Sequence, residues 1–277
     1  MILRKAKPKQ IKGNALHVSV SIGARFSSAI RKEIDAMVKD TERAINELFG
    51  SGDYAGDYGM DANVGSQARI TINQLIEKWD RRFAGIAGDA ANPMIEQVKM
   101  NSAVTLAASM RQAMAQQITL DFNLITPEMK EMFAASAAEA SGLIKSIPSK
   151  YLDDVGGAVY RSITSGNGLA DLVPMLEQYK VSIRNWAHNT ALDQTRKVYN
   201  HTNTARMSKL GMKKYEWVHS GGGRHPRKLH EEMNGNIYST DNPPFIGIMY
   251  GQRVYGIPGD LPNCKCVQRF IIDFGDD

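Results

Sequence analysis

Apolar residues recur at three- and four-residue intervals over much of the chain, the mark of amphipathic helices. Phe26, Ile30, Ile34, Met37, Val38, Ile45, Leu48 and Phe49 keep this spacing and predict a first long helix. Just before it, HVSVSI (17–22) alternates and predicts a short strand or extended segment. SGDYAGDYGMDANVGS (51–66) is dominated by glycine, aspartate and serine; it predicts a loop and has no phosphate-loop spacing. Ile70, Ile72, Leu75, Ile76, Trp79, Phe83 and Ile86 predict a second helix, which GDAANP (88–93) is expected to break before a third from about Met94 to Ile118. In that third helix Met100, Met110 and Met114 read as core fillers. Thr126-Pro127-Glu128 combines a hydroxyl cap, a proline in the first turn and an acid, so a helix should start there and end near Ile147-Pro148. SKYLDDVGGAVYRSITSGNG (149–168) predicts a short helix closed by a glycine turn. LADLVPMLEQY follows, then a long helix from about Ser182 to Leu210 with Gly211 as its C-cap. No repeat is visible and heptads are not sustained.

Beyond Gly211 the period changes from helical to alternating. KKYEWVHS predicts a strand with Tyr215, Trp217 and His219 on one face. A turn at Gly221 to Gly223 leads into HPRKLHEEMNG; NIYSTDNPP predicts a strand and turn, and PGDLPNCKC leads into a closing strand, VQRFII. The expected fold class is therefore α+β, a predominantly helical N-terminal body with a small α+β C-terminal domain. The expected division is a basic arm over 1–20, a helical body over 21–185, and a C-terminal domain over 186–277 that combines a long helix with a small α+β module.

Composition changes this picture little. In 277 residues, 43% are hydrophobic and 23% charged, which supplies a core and excludes a wholly disordered chain. No apolar run approaches the roughly 20 residues of a membrane span. MILRKAKPKQIKGN lacks the apolar stretch of a signal peptide, so a reducing cytoplasm and no membrane are expected. The net charge of +5 is concentrated at the start, where Arg4, Lys5, Lys7, Lys9 and Lys12 occur with no acid. Such a run is a solvated tail or a phosphate-contacting arm, and charge alone does not separate the two.

The candidate chemistry lies near the end. Cys264 and Cys266 are the sole cysteines. In an extended segment their Cα atoms would lie about 6.5–7 Å apart, at the limit for an unstrained disulfide, so two thiols on one side of a strand are expected. With His230 they offer a ligand set for structural zinc, the fourth position falling to His225, His219 or water. The competing reading is two buried thiols beside a hydrogen-bonded histidine. A cysteine nucleophile with His230 as base is chemically allowed, but no oxyanion motif or G-x-S-x-G accompanies it, so no enzyme is expected. Arg224, Arg227 and Lys228, joined by Lys213 and Lys214, form a basic patch that is either a solvated turn or a contact for DNA phosphates or acidic partner residues.

Six pieces occur in a characteristic order: NTALDQT (189–195); Arg206 with Leu210-Gly211; YEWVHS (215–220); Arg224, Arg227 and His230; MNG (233–235); and PGDLPNCKC (258–266). Together they resemble the phage Mu F-type minor head proteins, also called phage head morphogenesis proteins, from about Gly142 onward; IKSIPSKYLDDV (144–155) is compatible with this. Three departures stand out. Gly221-Gly222-Gly223 occupies the place of an acidic residue common in the family, the spacing from Arg224 to His230 is one residue longer than the family's usual one, and Lys265 replaces an arginine, keeping the charge but losing the planar fork. The resemblance implies a low-copy internal head component associated with the portal, acting in head assembly and genome packaging or delivery. The implied partners are the portal protein, a capsid or scaffolding protein and genomic DNA. The implied location is the virion head interior, with the host cytoplasm during assembly. The rival functions are a nucleic-acid-binding module using the basic arm and loop, and a metal-dependent nuclease or toxin-like effector.

Overall fold

A computed structural model describes residues 10–50, 62–113, 121, 123, 125–166, 168–221 and 225–273. Arg4, Lys5, Lys7, Lys9, Met114, Arg224 and most of the 51–66 segment lie outside them. The elements run β1 (Gln10–Lys12), α1 (Val20–Gly50), α2 (Ala62–Ala113), α3 (Pro127–Lys145), α4 (Ile147–Ser165), α5 (Leu169–Lys209), β2 (Lys214–Val218), α6 (Lys228–Glu232), β3 (Ile237–Ser239), β4 (Phe245–Met249), β5 (Gln252–Tyr255) and β6 (Val267–Asp273). The α+β reading holds, with helices dominating the N-terminal part. No helix among the described residues is long and apolar enough to cross a membrane.

Several boundaries differ from expectation. HVSVSI is not a strand: α1 begins at Val20, and residues 17–19 lead into it. The strand of this region is β1, three residues of the basic arm. Residues 62–66 begin α2 rather than ending a loop. Above all, GDAANP does not break the second helix, and α2 runs through Pro93 to Ala113. The burial pattern explains why. Phe83, Ala87, Ala91, Met94, Ile95 and Val98 are all buried, so one apolar stripe crosses the proline without a change of phase. Packing of that stripe outweighs the one backbone hydrogen bond that proline removes. Pro174 likewise lies within α5, which starts at Leu169 and not near Ser182. Met110 is a core residue as expected, but Met100 is 64% exposed. The predicted caps are in place. Thr126 Oγ1 accepts from the Met129 backbone N–H at 3.3 Å, and Gly166 (φ 74°) and Gly211 (φ 78°) take the left-handed conformation after α4 and α5.

The chain forms two compact units, each assembled from separated segments rather than from a consecutive arm, body and end domain. One comprises Gly23–Pro93 and Ala137–Leu192. It buries Phe26, Ile30, Ile34 and Met37 of α1, Leu75, Trp79 and Phe83 of α2, and Tyr151, Leu152 and Val155 of α4. Helices α1 and α2 are also tied by Arg82, which grips Glu33 through two hydrogen bonds of 2.7 and 2.8 Å. Lys78 and the Trp79 indole converge on Asp40.

The other unit comprises Met1–Ile22, Met94–Ser136 and Asp193–Asp277. Its four-stranded antiparallel sheet has the order β1-β6-β2-β3, and β4-β5 is a separate hairpin. Trp217 pairs with Gln268 and Tyr215 with Phe270, and all four residues are fully buried. A polar seam joins the C-terminal part of α2 to α5: Ser102 Oγ donates to Asn203 Oδ1 at 2.6 Å, and Thr105 meets the Tyr199 hydroxyl at 2.6 Å. Arg206, 4% exposed, donates to the Lys99 carbonyl and to Ser102 Oγ. Gln268 extends the seam from the sheet to Thr204 at 2.8 Å. The buried Arg206, noticed in the sequence as part of a motif, thus turns its Nη1 donor inward within this unit.

Candidate metal centre

Three chemically competent side chains meet beside the sheet. His230 sits in the five-residue helix α6, with its ring edge-on to the buried Trp217 of β2 at 5.0 Å between centroids. Cys264 and Cys266 precede β6 in an irregular segment, not on a strand as their spacing predicted. Their sulfurs nevertheless converge, at 3.5 and 3.7 Å from His230 Nδ1. The donor atoms all lie within 4.8 Å of one another. His230 is 2% exposed, Cys264 4% and Cys266 3%.

The other ring nitrogen fixes how His230 is used. Nε2 lies 2.9 Å from the Ile246 carbonyl oxygen, which can only accept, so Nε2 carries the hydrogen and Nδ1 is turned toward the sulfurs. The two cysteines are free and electrostatically unequal. A hydrogen bond from the Cys266 thiol draws the Cys264 thiol down against the opposing effect of burial, helped by the backbone N–H groups of Cys266 and Gly259. The same contact, then burial and the charge on Cys264, push Cys266 up. A thiolate beside an imidazole is the raw material of a nucleophile. Here it lies beneath the surface, so the arrangement can hold a metal or share protons internally but does not present sulfur to a substrate.

The loop carrying the cysteines is held by α5, a relation the sequence reading missed. Asn200 Nδ2 donates to the Pro258 carbonyl at 2.7 Å, and His201 Nε2 lies 2.6 Å from Asp260 Oδ1. Asp193 Oδ2 accepts from the Asn263 backbone N–H at 2.7 Å, while Arg196 meets its other oxygen at 2.9 Å. Burial raises the Asp193 carboxyl, with the Asn263 N–H and Arg196 offsetting part of that rise. Asp260 also caps its own loop by accepting from Ile257 N. Residues 193 and 200 are two helical turns apart and share a face, a spacing that would have marked them. The first and last of the six sequence motifs are therefore two sides of one contact.

The remaining expected residues are scattered. His219 lies past the end of β2, His225 is exposed, and neither joins the cluster. Lys12 is not part of a free arm: it lies in β1 and its ammonium sits 2.6 Å from Glu216. Lys213 and Lys214 pair with Asp241 and Asp273. Arg227 and Lys228 are exposed at the start of α6, with Arg227 donating to the Pro262 carbonyl at 2.9 Å.

Against known proteins, residues 153–269 match the family model described as Phage Mu protein F like protein. A Haemophilus influenzae (strain ATCC 51907 / DSM 11121 / KW20 / Rd) protein, described as uncharacterized, is 28% identical over 282 residues, taking in 98% of this chain and 58% of that protein. The chain thus spans little more than half the length of this curated relative. No solved structure matches. The matched segment takes in every motif of the ordered set up to Cys266, α5 with its loop contacts, and the His230 cluster, and over residues 153–269 the chain is similar to the phage Mu protein F-like family.

Proposed function

We propose that the protein is a phage head morphogenesis component, a low-copy part of the virion interior that associates with the portal and acts in head assembly and genome packaging or delivery. The observation that carries this is the family match over residues 153–269, which coincides with α5, its clamped loop and the sheet. The chemistry of that segment supports a role in assembly and not in turnover. Its histidine and thiols are buried, and its polar contacts are spent between α5 and the loop. The exposed Arg227 and Lys228 are the described residues offered to DNA phosphates or an acidic partner face.

The test is co-expression of the full chain with the portal protein of the same phage, together with mass spectrometry of purified heads. A complex that survives size exclusion, and a few copies of the chain in DNA-filled heads, are expected. A chain that neither binds the portal nor enters particles overturns the reading. DNA contact has its own readout: affinity should fall steeply with salt, and replacing Arg227 and Lys228 by alanine should flatten that slope by about two.

A further inference from the structure

We propose that His230, Cys264 and Cys266 bind one zinc ion that clasps helix α6 to the segment leading into β6. The spacing of the donors is the first argument. Zinc holds imidazole nitrogen at about 2.0–2.1 Å and thiolate sulfur at about 2.3 Å, so a tetrahedral centre places N and S about 3.6 Å apart. The distances from Nδ1 to the two sulfurs are 3.5 and 3.7 Å. One nitrogen lone pair can accept one thiol proton; two sulfurs at equal range suit a cation between them.

The orientation of the histidine is the second. Its Nε2–H is committed to the Ile246 carbonyl, the outer contact that fixes the ring of a metal-bound histidine and makes its other nitrogen a better donor. Two sulfurs and one imidazole favour zinc over the hard cations, which take oxygen. Among the described residues no further histidine, cysteine or carboxylate joins the cluster, so a water or similar small donor takes the fourth position.

The ligands explain what the ion would do. His230 is separated from the cysteines by 34 and 36 residues, and α6 is only five residues long, too short to persist on its own hydrogen bonds. A metal bond closing that loop removes conformational freedom from the unfolded chain and adds binding energy to folding. It would hold α6, and the exposed Arg227 and Lys228 at its start, at a fixed place beside the sheet.

Full-length protein prepared with zinc and then desalted should retain about one equivalent by elemental analysis. A strong chelator should lower its melting temperature and make Cys264 and Cys266 reactive to a thiol reagent. Cobalt(II) in place of zinc should give thiolate-to-metal charge-transfer absorption and the intense visible bands of a tetrahedral ion; Cys264→Ser should weaken the first. Should the serine variant fail to fold, the spectrum of the unaltered protein decides. Folded protein that retains no zinc and melts unchanged with chelator overturns the proposal, as does stoichiometric cobalt without charge transfer from sulfur. Loss of portal binding leaves the zinc result standing, so the two proposals fail separately.

Discussion

Gly259 sits at φ 93°, and a Cβ there would lie 2.6 Å from Asn200 Nδ2, the atom that holds the Pro258 carbonyl. Backbone and neighbour both require glycine. Gly259→Ala is therefore expected to cost about 2 kcal/mol or more, from a strained backbone plus a displaced helix contact, read as a lower urea midpoint. This residue also marks how far sequence alone reached. His230, Cys264 and Cys266 were legible because few residue types bind metals and all three are present here. Asn200, His201 and Asp260 were not, since amides, imidazoles and acids on a helix or in a turn are common, and only the fold brings α5 against this loop. The thiols' convergence was foreseen for the wrong reason, as the segment is not a strand and its turn aims the sulfurs.

Helix α2 shows the opposite limit. Its Gly and Pro residues are the strongest local signals for a break, and they were overruled by the continuous buried stripe from Phe83 to Val98. A purely local penalty should then be recoverable where no packing opposes it. Gly85 is exposed in the interior of α2 and an added Cβ meets nothing within 4 Å. Gly85→Ala should raise stability by about 0.5–1 kcal/mol in the same urea titration, and a neutral or negative result would mean that α2 is not continuous there. The β4–β5 hairpin escaped notice for a related reason. Its two-residue turn is Tyr250-Gly251, both at positive φ (51° and 77°), where Asn-Gly would have been the recognisable signal. A bulge between Phe245 and Gly247 also disrupts the alternation.

At the scale of the molecule, ion pairs occur in both units alongside their cores. The unit formed by Gly23–Pro93 and Ala137–Leu192 relies on ion pairs between helices as well as its core. The hydrogen bonds from Arg82 hold the Glu33 carboxyl below its ordinary value. A lowered carboxyl contributes stability above its unfolded value of about 4.3, and that contribution is lost as pH falls through the lower folded value. Glu33→Gln should accordingly cost up to about 1 kcal/mol at pH 7, discounted for the exposed Arg82, and the difference from the unaltered protein should shrink as pH falls below the ordinary carboxylate range. The paired segments of both units were invisible to periodicity, which reports faces of elements but not their partners.

The pairing of β1 with β6 sets a timetable for the ribosome. Gln10 finds its partner Asp273 only after 263 further residues have been made. At about 5–20 residues per second, the first strand waits on the order of 10–50 s for the last. All of Gly23–Leu192 has been made well before β6 appears, so the helical unit can assemble on the nascent chain while the sheet cannot. The sheet is completed only once β6 has emerged, and until then the β1 strand is exposed to chaperones and to strands of neighbouring chains.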